Sequence, residues 1–337
     1  MRAPLTEPFS IGSVEIANRV ILAPLAGIGN WFVRTQARRH GAGMAVSEMV
    51  SSFALHYGNE RTLEQILVIK PDEHPVSVQL FGYDPSVMES AARVVAEAGA
   101  DIVDINMGCP VKKVCKTGAG AALLGDPDLA IELARAAQRG SGLPVTVKLR
   151  SGLRAGDHSG YELALALADC GAVAAIGFHP RPATVQHQGR PDYVLARRLA
   201  EQIEIPMVIS GGLADGDSAR RAYEESGADA VMIARGSFGN PWLFEELTGS
   251  RSQPPSRAEV LDELLWLIER AEQHFGMRAV GWLRKTYGWY APALGLTRAD
   301  TDRLNRLDDL EAVRALLAER PSVEASQPGC QHQPAPV

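Results

Sequence analysis

The chain has 337 residues, more than one small domain needs, so one large α/β domain with an appendage, or two domains, is expected. A net charge of −6, from 34 Lys and Arg against 40 Asp and Glu, excludes a uniformly basic nucleic-acid coat but leaves room for a local basic patch. Hydrophobic content of 46% with 22% charged residues is that of an ordinary globular protein.

At the start of the chain Pro4, Glu7 and Pro8 interrupt any basic-then-apolar leader, which argues against a secretory signal. Eight short, continuous apolar runs follow, each read as a buried strand: Val20–Ala23, Met44–Ser47, Val76–Gln79, Ile102–Asn106, Val145–Leu149, Ala174–His179, Met207–Ser210 and Ala230–Ile233. None of the apolar runs approaches the roughly 20 residues of a membrane span. Amphipathic helical stretches separate them. Asp84-Pro85, Asp126-Pro127 and Asn240-Pro241 each put an N-cap residue before a proline at the first helical position. Gly99, Gly171 and Gly227 stop helices shortly before the next strand. Eight such units fit a (β/α)8 TIM barrel of about 250 residues, placed at 1–247. Periodicity alone leaves an open doubly wound sheet as the alternative.

Beyond Leu247 the composition changes. The segment from Thr248 to Pro255 is polar and proline-bearing, and Ser256-Arg257-Ala258-Glu259 reads as a capping box. Helical stripes then run through Val260 to Ala271, through Val280, Leu283 and Tyr287, and through Leu310 to Leu317. A small all-helical domain at 256–320 is expected, followed by a Pro- and Gln-rich tail at 321–337 that is expected to be disordered. The four cysteines, Cys109, Cys115, Cys170 and Cys330, form no CxxC pair. They read as free thiols of a reducing cytoplasm, and no metal site is expected.

In a barrel the site lies at the C-terminal strand ends, and the unusual residues fall there. Strand by strand they are Pro24-Leu25-Ala26, Ser47-Glu48-Met49, Gln79, Asn106 with Cys109, Lys148, His179 with Arg181, Ser210-Gly211-Gly212, and Ala234-Arg235-Gly236. The last two turns suit a phosphate, bound by backbone N–H groups with Arg235 adding charge. Lys148 and Gln79, pointing inward beneath it, can hydrogen-bond the polar edge of an isoalloxazine. A Schiff-base role is the competing reading of Lys148, one that accounts less well for Gln79 and Cys109.

The segment from Asp101 to Val114, with Asn106-Met107-Gly108-Cys109-Pro110 at its centre, resembles the signature of the tRNA-dihydrouridine synthase family. Ala23-Pro24-Leu25-Ala26-Gly27, Gln79-Leu80-Phe81-Gly82, Val147-Lys148-Leu149-Arg150, and Ala234-Arg235-Gly236 with Gly239-Asn240-Pro241-Trp242 resemble it in the same order. The similarity is nearest the bacterial B-type branch. It implies an FMN enzyme acting on tRNA, with a barrel followed by a helical tRNA-binding domain and NADPH or NADH as reductant. By position it implies FMN contacts from Pro24, Leu25, Ala26, Gln79, Lys148, His179, Ser210, Gly211, Gly212, Ala234 and Arg235. It makes Cys109 the general acid and puts Asn106 in the substrate pocket. Three departures stand out: Gly29-Asn30 in place of Thr-Asp, Ser210-Gly211-Gly212 in place of Asn-Gly-Asp, and Pro182-Ala183 in place of Thr-Arg after His179 and Arg181.

Saturating the C5=C6 bond of uracil needs a hydride at C6 and a proton at C5, and a neutral thiol can supply the latter. Cys115 is the rival acid, set back in its loop. The rival enzyme is a dihydroorotate- or dihydropyrimidine-type flavin oxidoreductase working on a free base; the rival non-enzyme is an RNA-binding protein with a dead barrel. Against the free-base enzyme, Val111-Lys112-Lys113 follow Cys109-Pro110 in place of an asparagine, and the added helical domain has no obvious use for a small substrate; against the dead barrel, Cys109, Lys148 and the two glycine turns are all retained. Arg278, Arg284, Lys285, Arg298, Arg303 and Arg306 lie among Trp282, Tyr287, Trp289 and Tyr290 in the helical segment. Arg278 and Lys285 are the expected phosphate contacts. The aromatics read equally as core or as base contacts. A cytoplasmic monomer is the simplest assembly, with no membrane attachment.

Overall fold

Eight parallel strands close on themselves in the computed structural model, which describes residues 2–319. The expected disordered tail, with Cys330 and His332, lies outside the described residues. The chain opens with an antiparallel hairpin, β1 (Phe9–Ile11) and β2 (Val14–Ile16). Then come β3 (Val20–Leu22), β4 (Met44–Val46), the two-residue β5 (Val50–Ser51), β6 (Val76–Phe81), β7 (Ile102–Met107), β8 (Val145–Arg150), β9 (Ala175–His179), β10 (Met207–Ser210) and β11 (Ala230–Ile233). The ring runs β3-β4-β6-β7-β8-β9-β10-β11 and returns to β3, parallel throughout. An open doubly wound sheet is thereby excluded, and the TIM barrel stands. Strand β5 sits outside the ring, paired to the end of β6 at Leu80 and Phe81.

The alternation along each strand divides the residues between two cores. Outward side chains such as Val78, Ile105, Val147, Ile176 and Ile209 pack under the helices. Those helices are α1 (Trp31–Arg39), α2 (Ser52–His56), α3 (Pro85–Glu97), α4 (Lys112–Cys115), α5 (Pro127–Ser141), α6 (Ser159–Asp169), α7 (Tyr193–Ala200), α8 (Gly216–Ser226) and α9 (Trp242–Leu247). Inward side chains at the N-terminal end, Ile21, Met44, Ile102, Ala175, Val208 and Ala230, form a second core with Ile11 and Ile16 of the hairpin. The hairpin is the floor of the barrel. Each such fully buried Ile or Val contributes roughly 1.5–3 kcal/mol.

Helix starts follow the caps. The Asp84 carboxylate accepts from the N–H groups of Ser86 and Val87, and that of Asp126 from Leu129. Asn240 does not act this way. Helix α9 begins at Trp242, with the Asn240 carbonyl accepting from Leu243 N, because the chain enters through a tight turn that uses the backbone oxygen.

A second unit separates from the barrel between Pro254 and Pro255. It contains α10 (Arg257–Phe275), α11 (Ala279–Leu283), α12 (Tyr287–Leu294), α13 (Arg298–Arg306) and α14 (Leu310–Ala318). Ser256 and Glu259 form the expected reciprocal cap of α10. The single helix expected through Val280, Leu283 and Tyr287 is instead two, α11 and α12. Thr286 Oγ1 donates to the Leu283 carbonyl at the break, 2.8 Å away. Among the described residues no helix is long and apolar enough to cross a membrane.

Candidate active site

Strand register builds the site in layers. Gln79 on β6 is level with Asp104 on β7, and Asp104 is level with Thr146 on β8. One step up, Asn106 is level with Lys148, and Lys148 with Gly177 on β9. At the top Arg150 is level with His179. Gly177 makes room for its neighbour, since a Cβ there would lie 3.3 Å from Lys148 Cγ.

A directed chain of hydrogen bonds joins these layers to Cys109. The backbone N–H groups of Gly108 and Cys109 donate to Asn106 Oδ1 at 3.2 and 2.9 Å. Asn106 Nδ2 then donates to Gln79 Oε1 at 2.8 Å, and Gln79 Nε2 to Asp104 Oδ2 at 2.6 Å. Thr146 Oγ1 closes the chain by donating to Asp104 Oδ1, 2.6 Å away. The backbone donors fix the polarity, because an amide flip at Asn106 or Gln79 would bring donor against donor. Asp104, almost wholly buried, ends the chain as an acceptor. Burial raises its carboxyl to about 6, against the lowering pull of Thr146, Gln79 and the Lys148 charge.

Above this layer the charge is positive. Desolvation lowers Lys148 to about 8, with Arg150 adding to the effect and Asp104 opposing it, so the ammonium persists at neutral pH. Arg150 is clamped in place, its guanidinium donating to the carbonyls of Gly108, Pro182 and Gln186. It thereby ties the cysteine loop to the loop carrying Pro182-Ala183. His179 is buried and faces Lys148, Arg150 and Arg181. Desolvation and those cations push it well below the usual histidine range, and it stays neutral. Its Nε2 lies 3.3 Å from Arg181 Nη1, while Arg181 also donates to the Gly189 carbonyl at 2.7 Å. Cys109 is half-buried at the mouth. Burial raises its thiol above the ordinary range, Arg150 and Lys148 pull the other way, and the net is a protonated sulfur. Cys115 Sγ donates to the Cys109 carbonyl at 3.3 Å, so this rival thiol is spent on shaping the loop.

The turn after β10 demands glycine. Gly211 has φ 96°, and a Cβ on it would fall 2.3 Å from His179 Nε2. Tyr193 donates its hydroxyl hydrogen to the Gly211 carbonyl at 2.8 Å, holding the turn from outside. Ser210 is buried beneath it. Ala234 and the exposed Arg235 open a short 3-10 turn after β11. Pro24, Leu25 and Ala26 form the β3 rim, with Leu25 buried and Ala26 exposed. Glu48 reaches across to accept from Gly27 N at 2.8 Å.

The Gly29-Asn30 departure has a structural counterpart. A Cβ at Gly29 would lie 3.0 Å from Glu48 N, so this loop is closed around a glycine. Buried Arg34 holds it there, donating to the Gly29 carbonyl at 2.9 Å and pairing with Glu73 at 2.5 Å. Even so, desolvation leaves the Glu73 carboxyl above its ordinary value.

In the helical unit Arg278 and Lys285 are exposed, and Arg284 pairs with Asp308 at 2.6 Å. Trp282, Tyr287 and Tyr290 are buried, which settles these three rings as core.

A sequence profile of the dihydrouridine synthase (Dus) family matches residues 21–314. The chain belongs to the dihydrouridine synthase family. It is 37% identical over 313 residues to tRNA-dihydrouridine synthase B of Xanthomonas campestris pv. campestris, spanning 91% of this chain and 93% of that one. It is 36% identical over 320 residues to the protein of that name from Pseudomonas aeruginosa, spanning 92% and 96%. Among solved structures, morphinone reductase superposes with TM-score 0.52 at 16% identity, over 77% of this chain and 94% of that one. A 2-naphthoyl-CoA reductase superposes with TM-score 0.56, also at 16% identity, over 74% and 53%. These two likenesses are of fold. As a dihydrouridine synthase the chain is an oxidoreductase that works with a flavin.

The fit to a flavin rests on the barrel mouth itself. It offers Lys148, with no acidic partner at bonding distance among the described residues, a glycine turn with no side chains of its own, and Arg235 beside it. Gln79 is engaged at both ends of its amide, with Asp104 and Asn106, which leaves one Nε2 N–H and one oxygen lone pair for a flavin. Asp104 and Thr146 are the residues that sequence reading missed. Their signal was the period of two that places Asp104 on the same face as Asn106, and Thr146 on the same face as Lys148.

Proposed function

We propose that this dihydrouridine synthase reduces uridines in the D-loop of tRNA, with FMN as its flavin and Cys109 as the acid that protonates C5. The observation that carries the reading is the Cys109 thiol, kept protonated by burial and anchored through its own N–H to Asn106. When bound, FMN supplies hydride to C6 of the uracil, replenished from NADPH or NADH. Lys148, the Ser210-Gly211-Gly212 turn, Ala234, Arg235, His179 and the Pro24-Leu25-Ala26 rim would hold it. Gln79 would meet the flavin with its remaining N–H while it fixes Asn106.

The protein's part is to orient a proton. Asn106, locked by Gln79, sets where the Cys109 backbone lies and so where its sulfur can point. The proton leaves Sγ for C5 as the hydride arrives, and Arg150 and Lys148, both facing Cys109, stabilise the thiolate left behind. The uracil must first be extruded from its stack to reach this mouth. Arg181 on the barrel, with Arg278 and Lys285 on the helical unit, would hold phosphates. Exposed cations on a separate helical unit serve an RNA chain and have no use for a free base, which weighs against the dihydropyrimidine reading. The enzyme would act as a cytoplasmic monomer.

The test is Cys109→Ala. It is expected to bind FMN and accept hydride from NADPH as wild type does, and to form dihydrouridine on the order of 10²–10⁴-fold more slowly. A near-normal Cys109→Ala beside a slow Cys115→Ala would move the acid, and wild-type turnover of uracil or orotate in place of unmodified tRNA would overturn the substrate.

A further inference from the structure

Of the six large hydrophobic side chains exposed among the described residues, four fall on the chain segments that follow β4, β6 and β7: Tyr57 at 75%, Leu63 at 36%, Tyr83 at 40% and Val111 at 53%. Scattered apolar exposure is normal, but a concentration beside one mouth marks a contact surface. Three rings make its centre. Phe53 on α2 stacks on Tyr83 with centroids 5.0 Å apart and planes 26° from parallel. Tyr57, one turn along, lies 6.5 Å from Phe53 at 34°. Tyr83 is thus held stacked on Phe53, Tyr57 is tilted against the same ring, and both tyrosines are open to solvent.

This ledge is joined to the reacting centre. Met49, just before β5, has its sulfur 3.9 Å from Asn106 Nδ2. Gly118 abuts Tyr83, where a Cβ would come within 3.4 Å of the tyrosine Cβ. The chain from Lys112 to Gly118 is the turn that Cys115 pins to Cys109, and it carries exposed Lys112, Lys113 and Lys116. Asp84, next to Tyr83, is occupied in capping α3. Flat rings flanked by lysines match a base and its phosphate. A small apolar ligand would have no use for the lysines.

We propose that Tyr83, Phe53 and Tyr57 stack an unpaired nucleotide next to the uridine being reduced, while Lys112, Lys113 and Lys116 take its phosphates. This rests on the tRNA reading above and names a subsite for it. Extruding one base leaves its neighbour without a stacking partner, and the ledge replaces that partner beside the mouth.

The experiment uses flavin-loaded enzyme and an unmodified tRNA transcript, and measures Kd, KM and kcat for Tyr83→Ala, Tyr57→Ala and the corresponding Phe variants. Each Ala variant is expected to bind tRNA about 10-fold more weakly, the size of one lost stack, with kcat and flavin reduction by NADPH unchanged. The Phe variants should bind as wild type does. An abasic tRNA lacking the flanking base should lose a similar factor against wild type and little more against Tyr83→Ala. Unchanged affinity in the Ala variants, or losses that multiply with the abasic tRNA, would overturn the proposal while leaving the tRNA reading intact. A wild-type dimer that Tyr57→Ala dissociates at unchanged tRNA affinity would assign the ledge to a second copy of the chain. A wild type forming no dihydrouridine in tRNA would overturn both readings.

Discussion

Replacing Asp104 with Asn removes a buried charge and keeps every hydrogen bond. The Asn oxygen accepts from Gln79 Nε2, while the new amide donates to Thr146, whose hydroxyl accepts as readily as it gives. What changes is proton linkage. The Asp104 carboxyl is raised from 3.8 to about 6 in the folded protein, so between those values the folded state holds more protons than the unfolded one. Stability of the wild type therefore falls as pH rises through this window. With 1.36 kcal/mol per unit, the charged carboxylate costs the wild type about 1.5 kcal/mol at pH 5 and about 3 kcal/mol at pH 7.5. Asp104→Asn should accordingly gain about 1.5 kcal/mol on wild type between those two pH values, read as a widening gap in urea midpoints. Lys148, lowered to about 8, titrates above this window and does not mask the effect. Losing the Asp104 charge also removes an attraction that holds the Lys148 ammonium, so in the variant Lys148 titrates at lower pH, which can only widen the gap at the top of the window. A stability gap that stays constant from pH 5 to pH 7.5 would refute the reasoning, and with it a substantially uncompensated charge at the heart of the barrel.

Four further outcomes follow from the geometry. Gly211→Ala forces a Cβ into His179 at a left-handed backbone position; flavin retention should drop, with about 1–3 kcal/mol lost in denaturant midpoint. Arg34→Met leaves Glu73 buried without its partner, and about 3–5 kcal/mol of stability should go with it; a loss below about 1 kcal/mol would show the pair to be dispensable. Arg235→Ala should weaken FMN retention on dialysis without altering the unfolding midpoint of the apoprotein. Arg278→Glu with Lys285→Glu should weaken tRNA binding and flatten its salt dependence, flavin reduction being unchanged; an unaltered salt slope would remove the helical unit from the phosphate contacts and leave those on the barrel.

The ring strands were legible because each is short, unbroken and apolar, the mark of a strand buried on both faces. Hairpin β1–β2 was not read, although Phe9, Ile11, Val14 and Ile16 alternate about Gly12-Ser13; three residues a side are too few to set a period. Helix α13 escaped for a different reason. Arg298–Arg306 buries only Asp300 and Leu304, so it has no stripe, and its start rests on Thr297 and Asp300 capping each other. At the site, the residues on the rim could be picked out as unusual for their positions. Asp104 could not, because a lone acid in an apolar strand is read as noise until the register shows Gln79 and Thr146 beside it. Neither could the fate of Trp282, Tyr287 and Tyr290, since a helix bearing apolar residues on every side gives no clue to its buried face.

The hairpin floor has a consequence for synthesis. Ile11 and Ile16 share one core with Val208, Ala230 and Met232, residues that leave the ribosome about 190–220 positions later. At about 5–20 residues per second, the hairpin waits roughly 10–40 seconds for its cavity to exist. Through that interval two isoleucines meant for the interior stand in water beside half-made strands with open edges. A nascent chain in this state is a ready client for a holding chaperone, and slowing translation ahead of residue 230 should lengthen its dependence on one.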